Sequence, residues 1–206
     1  MAYQFKQPDL DIPFKSIRSV LNEYSTTQPE KIALYDLEQD RSISWGSLAE
    51  NVEAIARYFV SVGVKKGDRI GLLSDESLEK MIIWMSIWRV GAVVCPLNVE
   101  INASHINELL KSIGPKLTLW HTALNGNELT KGINGKVMKF GSWSEECLSH
   151  SDKSEFFGAV ANTSQDILIE SENGEKDVSC IFCTSGTTSR PKCVVYDHMA
   201  YWLNGL

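Results

Sequence analysis

The sequence predicts an α/β fold in which a mostly parallel sheet is layered between helices. Two observations carry this. Across 70–97 a strand-like run, a long apolar helical run and a second strand-like run follow one another, and such a unit makes a parallel strand pair with a right-handed crossover. Across 104–120 a further helix and strand continue the alternation.

Taken in order, residues 1–13 read as an irregular arm. Phe14, Ile17, Val20, Leu21 and Tyr24 then recur at helical spacing, and Pro29 closes the segment. An arm and helix therefore occupy 1–30. Runs at 32–35 and 42–45, separated by the charged turn 36–41, predict a hairpin. Leu48, Val52, Ile55, Ala56, Phe59 and Val60 give 47–62 the stripe of an amphipathic helix, with Gly63 placed to stop it. Residues 65–69 form a turn, with Asp68 and Arg69 as its salt bridge, and feed a strand at 70–73. Ser77 or Asp75 caps the next helix, which is apolar nearly all round (Met81, Ile82, Ile83, Trp84, Ile87, Trp88) and so belongs between layers. Gly91 ends it before the buried strand 92–97. Ser104 caps a helix to Ile113, Gly114 and Pro115 stop it, and 116–120 is the next strand. The α/β core thus runs over 31–121.

The stretch 122–177 differs. It is polar, carries Gly126, Gly132, Gly135, Gly141 and Gly158, and has only short apolar runs at 137–140, 156–160 and 167–169. It is expected to be variable connecting structure, with a short helix within 142–152 and a solvated acidic loop at 171–177.

Composition excludes several classes. A chain of 206 residues suits one domain, or one and a half, and 43% hydrophobic with 22% charged residues is ordinary for a globular protein. A net charge of −6 without a Lys/Arg cluster argues against general nucleic-acid binding. The first fifteen residues hold no apolar core of signal-peptide length, and the most apolar region, 81–97, contains Arg89, Gly91 and Pro96. No membrane span is expected, and the cytoplasm is the default location. Five cysteines (Cys95, Cys147, Cys180, Cys183, Cys193) are an odd number for a disulfide framework. Cys180 and Cys183 form a CxxC, but residues three apart on a strand face opposite ways, and no second pair completes a zinc site. Thiols packed as small hydrophobes account for them better.

The last segment, 178–206, carries the chemistry. Val178, Cys180, Ile181, Phe182 and Cys183 suit a buried strand; the nonapeptide TSGTTSRPK follows at 184–192; Val194, Val195 and Tyr196 make a second strand. Backbone amides near a glycine, hydroxyls and an ammonium together wrap a polyanion. Gly186 permits close backbone approach, and Pro191 biases Arg190 towards extended geometry, which directs Lys192. A Walker A loop is excluded, since Pro191 stands at the second glycine position and Cys193 follows Lys192. By composition alone, an ordinary Ser/Thr-rich turn remains the alternative.

The order of these residues resembles the phosphate-binding signature of the AMP-forming adenylating superfamily, the acyl-CoA synthetases and their relatives. Thr184, Ser185, Gly186, Thr187, Thr188, Pro191, Lys192, Val194 and His198 fall on its positions, whereas Ser189 and Cys193 replace glycines and Asp197 replaces a Ser/Thr. The Ser189 variant is similar to that of carnitine/crotonobetaine-CoA ligase-like members. GVKKGDRIGLL from Gly63, GAVVCPLN from Gly91, and Ser44, Trp45 and Leu48 extend the resemblance over about 32–198.

The resemblance implies the first part of the large N-terminal domain of an adenylate-forming enzyme. It implies that Thr184, Ser185, Gly186, Thr187, Thr188, Ser189, Arg190, Pro191 and Lys192 bind ATP, with Thr188 near the Mg²⁺ that the nucleotide carries. A carboxylic acid would be activated as its acyl adenylate, and the thiol of coenzyme A would then displace AMP. No catalytic residue is expected within 1–206: the adenylation lysine of the family lies further downstream. The chain is therefore expected to be a fragment or a natural short form, inactive alone, with Trp202 and Leu203 exposed for a homodimer contact or for the missing C-terminal portion. An adenylation domain that loads a carrier protein, and a truncated non-catalytic nucleotide-binding module, are the alternatives. His105, His121 and His150 have no partners at ligand spacing and read as surface or capping residues. His198 either serves the loop or opens the next helix. The tryptophans lie mostly at periodic apolar positions and read as core rather than as base-stacking residues.

Overall fold

The computed structural model describes residues 13–97, 103–124, 135–142, 155–184 and 192–203. The expected α/β class is what it shows. Helix α1 (Ile17–Thr27) precedes the antiparallel hairpin of β1 (Ile32–Asp36) and β2 (Arg41–Ser44), and α2 (Trp45–Ser61) leads to β3 (Arg69–Leu73). Then come α3 (Leu78–Arg89), β4 (Val93–Leu97), α4 (Ala103–Ile113), β5 (Leu117–His121), β6 (Lys136–Phe140), α5 (Glu155–Ala161), β7 (Val178–Thr184), β8 (Lys192–Asp197) and α6 (His198–Leu203). Strands β3 to β8 form one sheet in the order β6-β5-β3-β4-β7-β8. All its neighbours are parallel except β8, which runs antiparallel to β7.

Local chemistry sets the element ends. The Ser16, Ser44 and Ser77 hydroxyls accept from the amides of Ser19, Ser47 and Lys80, one N-cap each for α1, α2 and α3. Ser44 is thus the cap and Trp45 the first helical residue, where a strand over 42–45 was expected. Helices α2 and α3 end alike. Gly63 and Gly91 take φ of 78° and 76°, and the next amides, Val64 and Ala92, reach back to Phe59 and Ile87 at 2.9 and 3.0 Å. Ser104 lies inside α4, one residue past its start, so it does not cap that helix.

The core lies on both faces of the sheet. On one face α2, α3 and α5 bury Leu48, Ile55, Phe59, Ile82, Ile83, Phe156 and Phe157 against Ile70, Leu72 and Val94. On the other, Ile106, Leu109, Leu110 and Ile113 of α4 cover Leu73, Val93, Cys95 and Leu97. Helix α3 is enclosed as its apolar circumference demands, and even its Glu79, Lys80 and Arg89 are buried. Each is paired: Glu79 with Arg41, Lys80 with Glu76, Arg89 with Glu53.

Three local expectations are corrected. Asp68 pairs with Lys116 at 3.0 Å, because Arg69 is held by the α4 C-terminus, donating to the carbonyls of Ile113 and Gly114 at 2.7 and 3.1 Å. The apolar run 156–160 is α5, and β6 adds an edge strand beside β5. The loop 171–177 exposes Glu172, Glu175 and Lys176 but buries Asn173, whose amide donates to the Trp88 carbonyl at 2.6 Å, while the Ser171 hydroxyl donates to the Val90 carbonyl at 2.8 Å. That loop therefore satisfies carbonyls at the end of α3. Most of the helix expected within 142–152 falls outside the described residues.

Candidate functional site

Strands β7 and β8 stand where the two strands were predicted, and they pair antiparallel. From Cys180↔Tyr196 the register runs one-for-one to Thr184↔Lys192, so both ends of the nonapeptide lie opposite each other. Lys192 is exposed, and β7 runs parallel to β4, so the loop leaves from the sheet edge where the parallel strands end. Open α/β sheets hold ligands at that edge. Ser185, Gly186, Thr187, Thr188, Ser189, Arg190 and Pro191 lie outside the described residues, as do His150 and Trp143.

The base of the hairpin is fixed by side-chain contacts that the sequence does not predict. Ser179, fully buried at a register shift, has its hydroxyl 3.0 Å from the carbonyl oxygens of both Tyr196 and Asp197. Trp88 Nε1 donates to the Ser179 carbonyl at 2.9 Å, which ties α3 to β7. Asp177 accepts from the Gly174 amide and from Lys66 Nζ, each at 2.6 Å; these bonds, the lysine's foremost, hold its carboxyl below the usual carboxylate range. Asp197 Oδ1 accepts from the Ala200 amide at 2.7 Å, the geometry of a helix N-cap for α6. Asp197 thus does the work open to the Ser or Thr it replaces.

His198 opens α6 and is buried, with its amide donating to Asp177 at 3.0 Å. Its ring lies 5.3 Å from that of Trp88 and 6.2 Å from that of Phe14, beside a cavity of about 270 Å³ also lined by Tyr201 and Trp202. Among the described residues its Nε2 has no hydrogen-bond partner. Burial lowers its pKa to about 4, against the charges of Asp177 and Asp197, so the imidazole is neutral at pH 7. The unfolded imidazole takes a proton below about pH 6.5, the folded one only below about 4. The stability it confers is therefore whole above pH 6.5 and falls as pH drops from there to 4. By pH 4.5 that loss reaches about 2 kcal/mol. His198→Phe should remove that part of the acid sensitivity, read as a smaller difference in urea midpoint between pH 7.5 and 4.5. An unchanged difference refutes it.

His121 accepts from the Ala123 amide through Nδ1 at 3.2 Å, a turn role, and His105 is exposed. Trp84 is buried, and Trp45 stacks on Tyr24 at 4.7 Å. Trp202 is half-buried against Phe14, whereas Leu203, with Val194 and Val195, is exposed. Cys180 packs into the cluster on one sheet face and Cys183 against the other, as strand alternation requires. Among the described residues no helix is long and apolar enough to cross a membrane.

Comparison with known proteins adds the following. A family model described as AMP-binding enzyme matches residues 21–206. The crotonobetaine/carnitine–CoA ligase of Salmonella paratyphi A is 28% identical over 160 residues, which cover 77% of this chain and 31% of that protein. That of Salmonella paratyphi C is 28% identical over 165 residues, with the same coverage. The chain thus spans about a third of the length of the curated relatives it matches. Among solved structures, the N-terminal domain of FACL13 from Mycobacterium tuberculosis superposes with a TM-score of 0.72 at 22% identity, covering 90% of this chain and 45% of that one. The anthranilate CoA ligase AuaEII in complex with anthranoyl-AMP gives 0.78 at 18% identity, covering 94% and 37%. Those two likenesses establish the fold.

Proposed function

The chain belongs to the AMP-binding enzyme family, and from that premise we propose that residues 184–192 cradle the β- and γ-phosphates of ATP in an AMP-forming acyl-CoA ligase. The observation that supports this most is the pairing of Thr184 with Lys192 at the sheet edge where the parallel strands end. The curated relatives, both crotonobetaine/carnitine–CoA ligases by name, favour a carboxylic acid as the second substrate.

An exposed lysine at the foot of a Ser- and Thr-rich loop fits a triphosphate tail and its magnesium. In this reading Mg·ATP supplies the electrophilic phosphorus and a pyrophosphate leaving group, and coenzyme A the accepting thiol. The chain's own share is positioning and charge. The Lys192 ammonium offsets the charge on the departing phosphates, and Thr184, Ser185, Thr187, Thr188 and the Gly186 amide donate to phosphate oxygens. Ser189, Arg190 and Pro191 would complete the nucleotide-binding loop ahead of β8, and Thr188 would be the residue next to the magnesium that the nucleotide carries.

Calorimetric titration of Mg·ATP into the chain tests this. Lys192→Ala should weaken binding about 10- to 100-fold, the loss of one charge-assisted contact. Lys176→Ala, an exposed cation before the amino end of β7, should leave it unchanged. Equal affinity for the Lys192→Ala variant and the parent would overturn the assignment.

A further inference from the structure

We propose that Cys183 and Cys193 are a thiol pair that closes reversibly into a disulfide across the hairpin, one residue outside the loop ends. They are direct register partners on β7 and β8, and their Sγ atoms lie 2.7 Å apart as free thiols. Opposed residues of an antiparallel pair have Cα atoms about 4.5 or 5.5 Å apart, and both spacings fall inside the range that a disulfide spans. The strands therefore need no rearrangement to accept the bond.

Access is graded between the two sulfurs. Cys193 is exposed and Cys183 half-buried, and burial, with the neighbouring Cys193, pushes the Cys183 thiol up and keeps it protonated. An external oxidant therefore meets Cys193 first. Cys95 and Cys180 are fully buried, and burial pushes Cys95 up to about 12, so neither competes.

The oxidant is a small-molecule disulfide of the glutathione class. The Cys193 thiolate attacks one of its sulfurs and expels the first thiolate. Cys183, losing its proton to solvent, then attacks Cys193 Sγ in the mixed disulfide and expels the second. Two protein thiols and one external disulfide become one protein disulfide and two external thiols. A dithiol reductant runs the exchange backwards. The bond would fix the strand separation beside Thr184 and Lys192, and so the span that the loop bridges. The chemistry does not depend on what the loop binds.

The test is a thiol count on the whole chain after incubation with oxidised glutathione, acid quench and alkylation in denaturant. The five cysteines should yield three alkylatable thiols, with an intact mass lower by two hydrogens and a peptide joining Cys183 to Cys193. Dithiothreitol should restore all five. Cys183→Ser should trap glutathione on Cys193, and Cys193→Ser should leave Cys183 unmodified. Glutathione retained on Cys183 or Cys193 of the parent chain, a dimer linked through either of them, or five unchanged thiols would each overturn the proposal.

Discussion

Arg41→Ala is expected to cost the fold about 3 kcal/mol, because it strips the bidentate partner from a carboxylate that has no route to water. Glu79 sits in the first turn of α3 with a side chain only 1% exposed. Arg41, on β2, donates from Nη1 and Nη2 to its two oxygens at 2.9 and 3.2 Å and also reaches Asp36 at 3.3 Å. The pair is a charged link between the small hairpin and α3. Attraction between the charges roughly offsets their desolvation, so the pair contributes little net, whereas half of it is a liability. Arg41→Met combined with Glu79→Leu should therefore recover most of the loss, and Arg41→Lys should fall between, keeping charge but not the fork. Urea denaturation of the three variants decides it. A loss below about 1 kcal/mol for Arg41→Ala would show that Glu79 finds other compensation.

Much of the frame around the candidate site was legible because it is written in local chemistry. Ser77 and the glycines at 63 and 91 are strong end signals, and each stands where the sequence placed it. The strand–helix–strand unit between them followed from apolar runs too long and too continuous to be loops. What escaped depends on register and tertiary partners. In sequence Cys183 stands beside Cys180, yet its partner is Cys193 on the facing strand. Only the pairing register brings those two together, and local spacing does not encode register. Arg69 was weighed against Asp68 for the same reason, although the α4 C-terminus claims it. At the loop itself the residues were nameable from their order alone, which supplies chemistry but no distances.

Phe156→Ala is expected to cost about 3–5 kcal/mol, the range for emptying a fully buried aromatic site. The run 156–160 gave no periodic signal, since four apolar residues around Gly158 suit a buried strand or one face of a short helix equally well. In the structure it is α5, and Phe156 and Phe157 are completely enclosed. Phe156 meets Tyr58 edge-on at 5.4 Å and lies 5.9 Å from Phe59, while Phe157 contacts Phe140 of β6 at 6.4 Å. The helix thus closes the end of the core that α2 and β6 leave open, and a surface connection would make no such contacts. Leu168, in the same polar stretch, is 77% exposed. Leu168→Ala should change stability by less than about 0.5 kcal/mol. Paired denaturation curves for these two variants separate a docked helix from a surface one. Losses of equal size, or a Phe156→Ala loss below about 1 kcal/mol, would mean that α5 adds little to the core and that the folded unit is held by 31–121 and the hairpin alone.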